Sequence, residues 1–135
     1  MDIAIRPAQP HDLAQMQAIA RRTIDKNYRV FFGGDEGVDW FLSGPSDDYL
    51  AEHLGSAEVI VGNGQVLGFS VCTDNLIDLM MIDHERHGGG LGGRLLAHME
   101  NNLFPRYNTI RLESFAGNHK ANNFYLKHGW KIIKT

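Results

Sequence analysis

Five of the six residues from Gly88 to Gly93 are glycine, and the run separates an apolar stretch at 76–82 from a stretch with helical periodicity. Glycine has no Cβ, so consecutive N–H groups can turn toward one point and a ligand can come close to the backbone. At a helix start, such a loop offers an anion both N–H donors and the positive end of the helix dipole. The run therefore demands a strand–loop–helix unit, and it predicts a pyrophosphate-binding loop.

The elements around it follow from periodicity and turn chemistry. Residues 3–6 alternate like a strand and are stopped by Pro7 and Pro10. Leu13, Met16, Ala20 and Ile24 recur at helical spacing within a helix expected over 11–26. An aromatic-rich connector at 28–32 leads to Gly33-Gly34, and a short helix is expected at 35–42. The next helix has Ser46 as its expected N-cap, Asp47 and Asp48 in its first turn, and Gly55 beyond its end.

The period then changes. Residues 58–61, 66–73 and 76–82 read as three strands, with Asn63-Gly64 as a strong hairpin signal and Asp74-Asn75 as the next turn. Leu91, Leu95, Met99 and Leu103 give the helix after the glycine run one apolar face, and Pro105 ends it. A strand at 109–114 follows. A helix at 118–128 has Ala121, Phe124 and Tyr125 as inward positions and Gly129 at its end; a last strand is expected at 130–134. The order β-α-α-β-β-β-α-β-α-β predicts a mixed α/β sheet rather than a strict βαβ repeat.

A chain of 135 residues with 43% hydrophobic and 21% charged residues reads as one globular domain over 1–135. A net charge of −3 with no basic block disfavours nucleic-acid binding. Cys72 is the single cysteine, so there is no intrachain disulfide; a reducing cytosol, hence a cytoplasmic protein, is the expectation. No apolar run is long enough to span a bilayer, and the alternation at 1–6 is unlike a signal peptide. No metal site is expected: His84-Glu85-Arg86-His87 is not H-E-x-x-H, and glycine-rich backbone would hold ligands poorly.

Three pyrophosphate ligands compete for the loop. A mononucleotide P-loop needs Lys-Ser or Lys-Thr after its last glycine, where this chain has Arg94-Leu95. Gly88, Gly90 and Gly93 formally satisfy G-x-G-x-x-G, with Glu113 about 20 residues on. Three hairpin-like strands precede that match and only 42 residues follow Gly93, which leaves no space for a doubly wound sheet.

The third ligand is coenzyme A. His87-Gly88-Gly89-Gly90-Leu91-Gly92 resembles the acetyl-CoA loop of the GNAT superfamily of N-acetyltransferases, with His87 replacing the usual Gln or Arg. Asn118 to Trp130 resembles the family's second signature, N-x-x-A-x-x-F-Y-x-x-x-G-[FW]. The resemblance covers nearly the whole chain and is most specific over 77–130. It implies a GNAT-like acyl-CoA N-acyltransferase fold, with a mixed sheet splayed between the strands at 76–82 and 109–114 and helices on its flanks. It also implies acetyl-CoA as co-substrate. Backbone of Met81 and Ile82 would pair with the pantetheine arm, and amides of His87, Gly88, Gly89, Gly90, Gly92 and Gly93 would hold the pyrophosphate. Asn118 would contact the coenzyme, and Tyr125 would lie near its sulfur as the acid. Structural roles compete with each: helix packing for Gly92 and Gly93, a core aromatic for Tyr125, an N-cap for Asn118.

The implied chemistry asks for a base, since a lysine-like amine has a pKa of about 10.4. Asp78 is the first candidate, sharing a face with Met80 and Ile82 if the strand is regular. A salt-bridged or solvated strand carboxylate is an equal reading of it, and Asp83, Glu113 or a water are alternatives. Cys72 is read as a small buried hydrophobe rather than a nucleophile. The acceptor amine would meet Tyr28, Phe31, Phe32 and Trp40. Asp35, Glu36, Asp39, Asp47, Asp48, Glu52 and Glu58 lie in a stretch without Lys or Arg, which would favour a cationic amine. Capping and solvated helix faces explain the same acids equally well. One short strand after Gly129 is fewer than most of the family has, so an open edge and a homodimer through it are expected. A non-catalytic acyl-CoA-binding domain is the alternative function.

Overall fold

The computed structural model describes residues 2–29, 35–83, 86, 89–112 and 119–131. Five strands form one sheet in the order β1-β2-β3-β4-β5. They are β1 (Ile3–Pro7), β2 (Ala57–Gly62), β3 (Gln65–Thr73), β4 (Leu76–Ile82) and β5 (Arg111–Leu112). The first three pairings are antiparallel and β4–β5 is parallel. Both sequence turn signals act as expected: Asn63 and Gly64 take φ of 52° and 75° between β2 and β3, and Asp74 takes 52° between β3 and β4.

Helices α1 (Leu13–Thr23), α2 (Glu36–Leu42) and α3 (Pro45–Glu52) cover one face of the sheet. Met16, Ile19, Val38 and Leu50 there bury against Val59, Phe69, Val71 and Met81. Helix α4 (Leu91–Leu103) covers the other face, and α5 (His119–Lys127) packs beside it. The spaced apolar residues Leu91, Leu95, Met99 and Leu103 are all buried, against Ile60, Leu67 and Ile77. This three-layer α/β arrangement is the mixed architecture expected from the element order.

Several boundaries differ from expectation. The helix expected over 11–26 is a 3₁₀ turn (Pro10–Asp12), then α1, then a π-helical turn (Ile24–Tyr28). The Asp12 carboxylate accepts the Gln9 N–H at 2.8 Å, which sets the start. Helix α3 is capped by Gly44, not Ser46. Pro45 has no N–H to satisfy and a φ suited to a first turn, so the helix begins two residues earlier. Of the strand expected at 109–114, the described residues join the ladder at Arg111 and Leu112, while the Thr109 carbonyl instead accepts from Asn75 Nδ2 at 3.0 Å.

Trp130 does not begin a strand. Its N–H bonds the Tyr125 carbonyl at 3.0 Å while Gly129 takes φ 91°, so it completes the C-terminal cap of α5. Residues 113–118 and 132–135 lie outside the described residues, and with them the rest of the expected splay and the proposed dimer edge.

Candidate active site

The glycine run meets α4 as the sequence reading required. Gly90 is the N-cap, with φ 77°, a left-handed conformation natural to glycine. The first intrahelical bond runs from the Arg94 N–H to the Gly90 carbonyl at 3.1 Å. The N–H groups of Leu91, Gly92 and Gly93 therefore precede the ladder and project from the helix end. That end carries partial positive charge and suits a phosphate. Gly89, Gly90, Gly92 and Gly93 are all described here; His87 and Gly88 lie outside the described residues.

Two of the glycines have a second role. A Cβ on Gly92 would lie 3.4 Å from Phe124 Cζ, and one on Gly93 3.3 Å from His128 Nε2. Helix α5 thus rests on the first turn of α4, a packing role for these two glycines that leaves their N–H groups at the helix end. The contact brings Tyr125 of α5 beside the loop's helix. Tyr125 is half-buried, its ring 5.4 Å from Phe124 and 6.3 Å from Trp130. Burial pushes its phenol up to about 12, and Tyr28 adds to the shift. The influence of Tyr28, from the end of the π turn, links the α1 side of the sheet to Tyr125.

Strand β4 carries the remaining candidates. Among the described residues its ladder to β5 consists of Leu76–Arg111 and Ile77–Leu112 alone. On its other side, Val71 pairs with Leu79 and Cys72 with Ile77, so Asp78 is the extra residue of a β-bulge. This corrects the expected side-chain direction. Asp78 does not share the face of Met80 and Ile82, which pack toward α4. It lines a cavity with Leu79 and Met81 on the α1 face. Its carboxylate accepts a hydrogen bond from the Thr73 hydroxyl.

That cavity, about 350 Å³, lies between β4 and the helices α1, α2 and α3. Its walls include Tyr28, Phe41, Tyr49 and Leu50. Burial pushes the Tyr49 phenol up to about 12, with the Asp78 charge as a further cause. Tyr28 lines the cavity as anticipated; Trp40 does not, being 60% exposed and set edge-on to Phe41 at 5.1 Å. Phe31 and Phe32 lie outside the described residues, as do Glu113 and Asn118. Tyr49 has no sequence signal, its position being that of an ordinary helix face, and Ser46 reads in the sequence only as an N-cap. Only the bulge that turns Asp78 toward them marks them.

Asp83, an alternative base, is tied to Arg22 at 3.0 Å through Oδ2. Its buried Oδ1 has no partner among the described residues. Cys72 sits toward α4 with its sulfur 3.6 Å from Met99 Sδ. Burial, with Glu58 and Asp78, pushes its thiol up to about 11. A thiol so protonated near neutral pH is a poor nucleophile. The described residues contain no cluster of three metal-ligating side chains, and none of their helices is long and apolar enough to cross a membrane.

A five-stranded mixed sheet between two helical layers, with a glycine-capped helix end after β4, makes this an α/β domain with an end suited to an anion. The profile of the family described as "Acetyltransferase (GNAT) domain" matches residues 49–132, and the chain belongs to that family. No curated protein is significantly similar to it in sequence.

Solved structures share its fold. The PaiA N-acetyltransferase of Thermoplasma acidophilum, in complex with coenzyme A, superposes with a TM-score of 0.81 at 17% identity, over 100% of this chain and 93% of that one. A GCN5-related N-acetyltransferase of Rhodopseudomonas palustris gives 0.82 at 19%, over 99% and 84%. Ard1 of Thermoplasma volcanium gives 0.73 at 24%, over 99% and 86%.

Proposed function

We propose that this protein is an N-acetyltransferase that moves the acetyl group of acetyl-CoA to a primary amine by direct attack in a ternary complex. The observation that carries the reading is the Gly90-capped end of α4, which follows β4 and leaves the N–H groups of Leu91, Gly92 and Gly93 ahead of the helix ladder. Those N–H groups suit the pyrophosphate of coenzyme A, whose extended arm would lie along the end of β4. Support also comes from two solved structures of similar fold in complex with coenzyme A, PaiA and the N-acetylglutamate synthase of Neisseria gonorrhoeae, of which this chain matches 29%.

Acetyl-CoA supplies an activated thioester whose thiol leaves readily. The protein's residues do the rest. The Asp78 carboxylate, directly or through a water, takes the proton that the amine must lose. The amine nitrogen then attacks the thioester carbonyl carbon, so that a C–N bond forms as the C–S bond breaks. Backbone N–H groups near Met81 or Ile82 stabilise the carbonyl oxygen as it gains charge. Tyr125, held protonated by burial, gives its proton to the departing sulfur. Asp78 and Tyr125 approach from opposite faces of the sheet, and the splay that the family resemblance implies is where groups from both faces would meet.

The test is thermal unfolding with acetyl-CoA, CoA, NADH and ATP in parallel. A ligand at 100 times its Kd adds roughly 2.7 kcal/mol, a rise of several degrees in Tm. Shifts with acetyl-CoA and CoA alone support the reading. A shift with NADH alone, or none at all, defeats it.

A further inference from the structure

Three of the acids that would draw a multiply charged amine, Asp35, Asp39 and Asp47, are already held in ion pairs. Arg29 holds Asp25 at 2.5 Å and both Asp35 and Asp39 at 3.1 Å, and Arg21 holds Asp47 at 2.6 Å. These pairs gather on the outer side of the helices that wall the cavity. Inside, the lining reverses character: Ile24, Phe41, Leu50, Leu79 and Met81 present hydrocarbon, and Asp78 is the one carboxylate among the described lining residues. Three aromatic rings, Tyr28, Phe41 and Tyr49, contribute to the walls. Tyr49 is backed by His53, its ring stacked at 4.2 Å.

Among the described lining residues a single ammonium finds one counter-charge, Asp78. A second ammonium a few carbons away would rest on hydrocarbon without a counter-charge, which is costly. An aromatic body, by contrast, gains from burial and from edge-to-face contact with the rings. An amine on a short linker from that body sits beside Asp78 and the aromatic faces, where a cation is favoured. The cavity of about 350 Å³ leaves space for one ring and its linker.

We propose that the acceptor is an arylalkyl monoamine, bound with its ring among Tyr28, Phe41 and Tyr49 and its nitrogen at Asp78. This rests on the acetyltransferase reading and narrows it, since the acidic composition of 35–58 by itself favours polyamines as much. Specificity then lies in the apolar lining.

The experiment compares kcat/KM for 2-phenylethylamine, spermidine and a lysine-containing peptide, by release of the CoA thiol. It runs beside direct titration of acetyl-CoA and of 2-phenylethylamine. The expected result is a preference for 2-phenylethylamine over spermidine of about tenfold or more, equivalent to about 1.4 kcal/mol. Phe41→Glu, which adds a second carboxylate to the wall, should move that ratio toward spermidine while acetyl-CoA still binds.

Preference for spermidine or the peptide in the unaltered protein overturns the proposal and leaves the acetyltransferase reading intact. So does bound acetyl-CoA with neither turnover nor binding of 2-phenylethylamine. Failure to bind acetyl-CoA instead defeats the underlying reading, and is seen separately in its own titration.

Discussion

Gly68 passes so close to Met81 on the neighbouring strand that a Cβ at position 68 would stand 2.6 Å from the Met81 carbonyl oxygen. The same Cβ would meet Ile82 Cδ1 at 2.6 Å. Backbone cannot swing aside as a side chain can, so β3 and β4 must separate if residue 68 grows. Gly68→Ala is expected to cost about 1–3 kcal/mol, as overpacking does. Because Met81 and Ile82 form the end of β4, acetyl-CoA affinity should fall with it. Urea unfolding and acetyl-CoA titration on one preparation check both effects.

The glycines of the loop should not behave alike. Gly90 has φ 77°, which an L-residue adopts at a cost of roughly 1–2 kcal/mol. Gly93 lies inside α4, and the group its Cβ would approach is the ring end of the exposed His128. There, alanine regains up to about 1 kcal/mol of helix propensity and the imidazole can move. Gly90→Ala should lower Tm, therefore, and Gly93→Ala should leave it unchanged or raise it. Parallel melting curves would expose the error if both fall together.

The strand–loop–helix unit was legible because glycine content and apolar spacing act locally. Asn63-Gly64 likewise announced its own hairpin. The direction of Asp78 was not legible, since a bulge is set by how two strands settle against each other, and no residue near 78 signals it. The charges misled for a related reason. Asp35, Asp39 and Asp47 lie in a stretch without cations, yet their partners Arg29 and Arg21 come from the preceding helical segments. Tyr49 became part of the candidate site only when α3 folded onto β4. The resemblance to a family located Tyr125, and the structure adds that burial raises its phenol to about 12.

At alkaline pH that burial becomes a liability. The phenols of Tyr28, Tyr49 and Tyr125 and the Cys72 thiol are all raised by it, Tyr49 and Tyr125 to about 12 and Cys72 to about 11. A group whose folded pKa is raised gives stability that is fully present below its unfolded value and is lost as pH rises through the folded one. Stability should therefore decline above about pH 9–10, where unfolded tyrosines begin to ionise. Tyr125→Phe should shallow that decline. Melting temperatures from pH 8 to 11, with tyrosinate absorbance, test it.

At acid pH the sensitive group is Asp12. Arg6 grips it through both terminal nitrogens, at 2.7 and 3.0 Å, and holds the carboxyl below its ordinary range against the opposing effect of burial. The depressed pKa gives stability that is present above the unfolded value of about 3.9 and lost as pH falls through the folded one. Asp12→Ala should cost about 2–3 kcal/mol at pH 7, since it also frees the Gln9 N–H. The gap from the unaltered protein should narrow by pH 3, and urea unfolding at the two pH values measures it.

The last expectation separates the two sides of the proposed chemistry. Asp78 faces the α1-side cavity while Tyr125 packs on the α4 side, so each can be altered without touching the other. Asp78→Asn keeps the shape and the Thr73 contact but removes the charge that would accept the amine's proton and hold its cation. Such a change should lower kcat/KM by about 10²–10⁴, as loss of a general base does. Tyr125→Phe removes only the proton offered to sulfur, already a fair leaving group with a pKa of about 8.5, so a smaller loss in kcat is expected. Neither should weaken acetyl-CoA binding, because the binding donors are backbone N–H groups. If Asp78→Asn keeps full turnover, the proton passes to a water or to Asp83 instead, and supplying the amine at a pH above its own pKa should then make no difference between variant and parent.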